Sequence, residues 1–212
     1  ESPAFNVAPG AVVTIDGKPI RDAEPTRLWR FHKPAGTLTT NRDPQGRQTI
    51  FDVLPADLPR VLTVGRLDFN SEGLLLLTND GDVARRLEHP KTGWRRRYRV
   101  RVHGTVDEDR LASLARGITV EGVRFGPIDA RLERQQRANA WLSVSLSEGK
   151  NREVRRICEH LGLQVTRLIR VSYGPFQLGN LSRGEAIEVP KKALTEQLGT
   201  DSGRQRRANH RR

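Results

Sequence analysis

The sequence predicts an α+β fold, and three observations carry that reading. Short apolar runs bounded by Gly and Asn/Asp recur along the chain, as at Val61–Val64 and Leu74–Leu77, and read as buried strands. From Arg95 the pattern switches to period two, Arg97, Arg99 and Arg101 alternating with Tyr98, Val100 and Val102, which is a strand with one basic and one apolar face. Four segments carry helical signals instead, with acidic or Asn openings and Gly or Pro closures.

In chain order, Gly10–Ile20 reads as two short strands around an Asp16-Gly17 turn. Leu28–Phe31 is an apolar strand ended by Lys33-Pro34-Ala35-Gly36. Thr39–Gln48 is a polar loop with Arg42 and Arg47, either a solvated connection or a mobile basic finger that meets phosphates. The apolar run Val61, Leu62, Val64 leads through a polar loop into four leucines, Leu74–Leu77, whose length and punctuation make them a strand despite leucine's modest strand preference. Asp80–Pro90 reads as a short helix, and Val106–Gly117 as another with Asp107 as N-cap. Strands follow at Ile118–Val120, Ile128–Leu132 and Trp141–Leu146. Asn151 then caps a helix that ends at Gly162, its apolar stripe being Val154, Ile157, Cys158 and Leu161. Val165–Val171 and Gln177–Val189 add strands broken by Tyr173-Gly174-Pro175, and Pro190–Leu198 suits a last helix. Residues 200–212 lack apolar periodicity and read as a disordered tail with five arginines against one aspartate.

Composition narrows the function. There are 37 Lys+Arg against 25 Asp+Glu, a net charge of +12 and a pI near 11.0. Arginine dominates, and it both pairs with phosphates and stacks on bases, so nucleic acid is the leading partner. No apolar stretch is long enough to span a membrane and no basic amphipathic anchor is apparent. The single cysteine, Cys158, excludes an internal disulfide and points to a reducing, cytoplasmic setting. It reads as a core residue, not a reactive thiol. With no methionine, Glu1 reads as the start of a fragment or a processed chain.

Asp68 is the first candidate for chemistry, because it lies on a loop framed by two buried strands with Arg66 two residues before it, and residues two apart in an extended segment face one side. Asp68-x-Asn70-x-Glu72-Gly73 matches the opening of a calcium loop. The twelfth position is Asn79, though, and leucines occupy ligand places, so no metal site is expected. An acidic surface loop with an incidental ion pair is the competing reading. Tyr98 belongs to the inward set of its strand. Arg155 adjoins the apolar helix stripe and needs an anionic partner, for which Asp68 would serve, while Arg152 and Arg156 lie four apart on an outer face.

Three segments resemble the pseudouridine synthases of the RsuA/RluB family: Lys33-Pro34-Ala35-Gly36; Gly65-Arg66-Leu67-Asp68 through Leu77-Thr78-Asn79-Asp80-Gly81; and Glu148-Gly149-Lys150-Asn151-Arg152-Glu153-Val154-Arg155-Arg156 with Leu168-Ile169-Arg170. The likeness covers residues 25–195. Asp43-Pro44-Gln45-Gly46-Arg47 and Arg167–Gly174 bring it closest to the RluB branch, which acts on large-subunit ribosomal RNA. Arg96 departs from the lysine that members commonly carry two before the tyrosine.

The resemblance implies a catalytic domain over residues 24–199 with a central mixed antiparallel sheet and flanking helices, preceded at 1–23 by a remnant of an S4-type RNA-binding domain. It implies a monomeric, cofactor-free and metal-free enzyme that isomerises a uridine of 23S ribosomal RNA after flipping it. Asp68, Tyr98 and Arg155 would be catalytic, with Asp68 paired to Arg155 and Tyr98 stacked on the base. Arg66, Leu168, Lys33, Lys150, Arg152, Arg156 and Arg170 would bind substrate, Leu168 packing beneath the base. The same chemistry on small-subunit or transfer RNA, and a non-catalytic RNA-binding ribosome-assembly factor, are the alternatives.

Overall fold

A computed structural model describes residues 14–19, 24–89 and 92–198. Most of the 1–23 segment and the basic tail at 200–212 lie outside the described residues. What is described of the first hairpin, β1 (Thr14–Ile15) against β2 (Lys18–Pro19), turns at Asp16 and Gly17. Both have positive φ, 50° and 75°, as a tight two-residue hairpin turn requires.

The body is one nine-stranded mixed sheet. Its strands are β3 (Leu28–Lys33), β4 (Leu62–Val64), β5 (Glu72–Thr78), β6 (Arg96–His103), β9 (Ile128–Gln136), β10 (Asn139–Leu146), β11 (Gln164–Tyr173), β12 (Phe176–Gln177) and β13 (Ala186–Glu188). The order is β13-β3-β5-β11-β6-β10-β9, with β4 beside β5 and β12 beside β11. A separate pair, β7 (Ile118–Val120) and β8 (Val123–Phe125), forms a small hairpin.

All pairings are antiparallel except β5 with β11, which meet in parallel at Glu72↔Ile169 and Gly73↔Arg170. That short seam joins two half-sheets. Gly73 makes it possible: its φ is 106°, and a Cβ there would sit 2.4 Å from the Arg170 carbonyl oxygen.

The four leucines are explained by cover on both faces of β5. Leu75 and Leu77 enter one hydrophobic cluster with Tyr98, Val100, Val102, Val154 and Ile157. Leu74 and Leu76 enter a second with residues of α1 (Gly81–Glu88) and α4 (Lys191–Leu198). β6, covered on one face only, alternates as its sequence does: Tyr98, Val100 and Val102 are buried, and Arg97, Arg99 and Arg101 are exposed.

Three expectations are corrected. The helix expected over 106–117 is α2 (Glu108–Ser113), capped by Asp107, then a tighter 3₁₀ turn at Leu114–Arg116. Strand β8 is unanticipated, and β9 runs four residues beyond Leu132. The cap of α3 (Glu153–His160) is Arg152, not Asn151. Arg152 adopts a left-handed φ of 48° and its side chain makes no cap bond; instead the Glu153 carboxylate accepts from the Lys150 amide at 3.0 Å. The far end behaves as expected. Gly162 has φ 79°, and the Leu163 and Gly162 amides donate to Cys158 and Glu159 carbonyls, closing the helix.

Candidate active site

The loop between β4 and β5 sits at the end of the parallel seam, and it is held from every side. Beneath it lies Lys33, fully buried, whose ammonium donates to the carbonyls of Ser71 (2.8 Å), Pro34 (3.0 Å), Asp68 (3.2 Å) and Phe69 (3.4 Å). The Gly36 amide donates to Phe69 O, and Thr39 Oγ1 to Leu67 O. The guanidinium of Arg155 donates to Asn70 O at 2.9 Å. That of Arg170 donates to Leu74 O at 2.7 Å and, more weakly, to Arg66 O at 3.5 Å. Three buried cations thus gather loop carbonyls, and Ser71 N to Asp68 O closes the turn.

This frame presents the half-buried Asp68 side chain to a cleft of about 850 Å³. Tyr98 and Leu168, both buried on adjacent strands of the sheet, line the same cleft, as do Arg66, Arg170 and Lys150. An open pocket combining a fixed carboxylate with an aromatic ring and an aliphatic side chain suits a planar, flipped base. Among the described residues, the Tyr98 hydroxyl has no hydrogen-bond partner.

The expected ion pair between Asp68 and Arg155 is not formed. No described cation lies within 4.0 Å of the Asp68 carboxylate, and the Arg155 Nε is buried without a partner. Burial lowers the Arg155 pKa, adjacent Arg152 lowers it further, and the Asp68 charge opposes both. Burial likewise pushes Lys33 down to about 8, Asp68 opposing and Arg170 adding to the shift. Asp68 therefore acts on both cations across space, and both grip its loop by the backbone.

The remaining expected residues divide. Arg66 is exposed at the cleft. Arg152 lines the cleft and reaches Glu159 at 3.9 Å. Lys150 lines it too, but is paired with Glu148 at 2.8 Å and bonded to Arg124 O. Lys33, expected to bind substrate, is a foundation with no exposed surface. Arg156 is turned away onto the β7–β8 hairpin, where it pairs with Glu121 at 2.9 Å and covers Phe125. Arg47, a candidate finger residue, is gripped by Asp43 through two side-chain bonds of 2.9 and 3.0 Å, and Arg47 in turn holds the Asp43 pKa down at about 2.

Two features escaped the sequence reading. Glu153 is a second carboxylate in the cleft wall, buried, with its pKa raised by burial and one oxygen unpartnered. Only its place in the first helical turn was legible. Arg96 donates through one terminal nitrogen to Ser147 O and Glu148 O and through the other to Tyr173 Oη, so its fork ties the end of β6 to two neighbouring segments. Cys158 is buried and its thiol pushed up to about 12, as a core residue should be. Among the described residues no group of three or more His, Cys, Asp or Glu can hold a metal ion, and no helix is long and apolar enough to cross a membrane.

Comparison with known proteins agrees with this geometry. The family model described as RNA pseudouridylate synthase matches residues 27–160. An uncharacterized RNA pseudouridine synthase of Rickettsia prowazekii is 44% identical over 197 residues, 93% of this chain and 83% of the relative. Ribosomal large subunit pseudouridine synthase B of Salmonella typhi is 45% identical over 189 residues, 86% of this chain and 65% of that protein. Among solved structures, a pseudouridylate synthase superposes with a TM-score of 0.71 at 26% identity, covering 92% of this chain and 84% of that one. Human RNA pseudouridylate synthase domain containing 1, at 15% identity and a TM-score of 0.53, shares the fold. The chain belongs to the RNA pseudouridylate synthase family.

Proposed function

We propose that this RNA pseudouridine synthase isomerises one uridine of large-subunit (23S) ribosomal RNA, with Asp68 as the nucleophile acting on a flipped base. The observation that carries the mechanism is the Asp68 carboxylate on a backbone-clamped loop, opening into the cleft that Tyr98 and Leu168 line. The similarity to ribosomal large subunit pseudouridine synthase B supports the target.

The chemistry follows from these groups. Uridine leaves its stack and enters the cleft, where the Tyr98 ring recovers ~1–3 kcal/mol of the unstacking cost. Asp68 attacks C1′ or C6 of the nucleotide, forming a covalent intermediate. The N1–C1′ bond breaks, the base turns, C5 bonds to C1′, and the bond from Asp68 to C1′ or C6 breaks, returning the free carboxylate. The proton on C5 is then removed with help from the Tyr98 hydroxyl, and N1 gains one. No electrons are exchanged with an outside partner and no bond is hydrolysed, so the reaction runs without a redox cofactor or metal. Arg155 and Lys33 serve it by fixing the loop, and Arg66 and Arg152 meet the flanking phosphates.

The test is to map pseudouridine by carbodiimide-stopped reverse transcription in RNA from cells with and without this protein. Loss of one stop in 23S RNA is the expected result. Loss in small-subunit or transfer RNA instead would overturn the target, and an unchanged map would overturn the activity in those cells.

A further inference from the structure

The face of the sheet turned away from Tyr98 is covered unevenly. On the β3–β5 half, α1 and α4 pack over Leu74 and Leu76. On the β6–β10–β9 half the outward residues Arg97, Arg99, Arg101, Asp129 and Arg131 are exposed, and Trp141 is half-buried and belongs to neither hydrophobic cluster. The strand register places Arg101 between Trp141 on β10 and Arg167 on β11, and Arg99 beside Ser143, which in turn faces Arg131. Like charges side by side across strands destabilise a sheet.

The acids present do not neutralise this face. Glu72 is shared by Arg167 and Arg183, and Asp129 by Arg95 (3.7 Å) and Arg131 (3.1 Å). Glu133 pairs with Arg99 at 3.0 Å. Arg97 is bonded only to the neutral Ser172 and Gln177 side chains, and Arg101 has no ion pair among the described residues. At the centre the Arg99 guanidinium lies 4.8 Å over the Trp141 ring, a layered cation and aromatic surface.

From this juxtaposition we infer that the Arg97–Arg99–Arg101 face of β6, with Trp141, is a second RNA-binding surface, which holds phosphate backbone of the substrate RNA away from the target uridine. A polyanion supplies the charge that the register withholds, and releases counterions as it binds. Trp141 and Arg99 offer a stacking platform for an unpaired base. The surface reads no sequence through arginine–phosphate contacts, so its contribution is affinity and orientation. The inference holds whichever ribosomal or transfer RNA carries the target.

The test uses the whole chain and a fluorescein-labelled transcript with both stems and loops, titrated across a salt series. Each phosphate contact is worth a factor of about 5–8 between 0.1 M and 1 M salt. R99Q/R101Q should therefore bind about 25- to 60-fold more weakly at 0.1 M, with the log–log salt slope flattened by about 1.4–1.8. R99K/R101K should keep most of the affinity. R86Q/R116Q, which removes the same charge from exposed positions elsewhere, should alter the slope far less. Thermal unfolding of each variant reports on folding, and the comparison of slopes is made at a temperature where every variant is folded. An unchanged slope in R99Q/R101Q, or an equal loss in R86Q/R116Q, would overturn the inference. The first outcome leaves this face to a non-RNA partner, and the second leaves only overall charge.

Discussion

Asp68 owes its position to cations that its carboxylate does not touch. Lys33, Arg155 and Arg170 bind carbonyls of its loop and its neighbouring strand, so the acid is held by its backbone and its oxygens stay available. Asp68→Asn should then abolish isomerisation and leave RNA affinity nearly intact, since shape and clamp survive. Single-turnover assays with a binding titration check this, and retained turnover would sink the nucleophile role. Tyr98→Phe keeps the ring and removes the hydroxyl; it should bind normally and turn over slowly, whereas Tyr98→Leu should lose both. Lys33 gives a pH-dependent expectation. Folded, its pKa is about 8 against the ordinary 10.5, so between those values the unfolded chain holds a proton that the folded chain has released. Stability linked to Lys33 is thus constant below pH 8 and rises with pH through that window, by about 2–3 kcal/mol near its top. Urea unfolding of wild type and Lys33→Met at pH 7.5 and pH 10 should show the gap changing in favour of wild type. A pH-independent gap would contradict the buried, proton-releasing lysine.

At the scale of elements, α3 shows a local rule giving way to the site. A left-handed φ costs a non-glycine residue roughly 1–2 kcal/mol, yet Arg152 adopts one where Asn151 could have capped the helix. Arg152→Gly should raise the thermal midpoint and weaken RNA binding, separating the backbone cost from the use of the side chain. A lower midpoint would show that the side chain itself supports the helix. The cap was illegible because Asn151 satisfies the sequence rule and only the three-dimensional path rejects it. The alternation of β6 was legible, since one covered face writes itself into every second residue. So were the four leucines of β5, where two covered faces erase alternation. β8 was not: Val123-Arg124-Phe125 is too short to show a period, and it exists because β7 pairs with it. Lys33 was misassigned for a related reason. A lysine in sequence reads as a surface cation, and nothing in Lys33-Pro34-Ala35-Gly36 says that loop carbonyls will converge on it. Asp68, Tyr98 and Leu168 were legible as a set through the resemblance, and their shared cleft is a property of the fold.

For the whole molecule, the two half-sheets meet only at the Glu72–Gly73 and Ile169–Arg170 seam, and the clamped loop emerges from one end of it. A carboxylate placed there can be reached by RNA lying across both halves, and the net charge of +12 supplies the attraction. Not all of that charge needs to be at the cleft. Residues 200–212 carry five arginines and one aspartate, a third of the surplus. If these arginines meet phosphates alone, deleting the segment should weaken binding without changing which uridine is modified, because phosphate contacts carry no sequence information. The loss should shrink as salt rises, the log–log slope flattening by about 0.7–0.9 for each contact removed. Turnover at saturating RNA should stay as it was, since the cleft, its clamp and Tyr98 all lie within residues 33–173. Binding across a salt series and mapping of the modified position, for the full and shortened chains together, decide it. A shifted modification site would mean that the segment takes part in choosing the target, and an unchanged slope would mean that its arginines meet no phosphate.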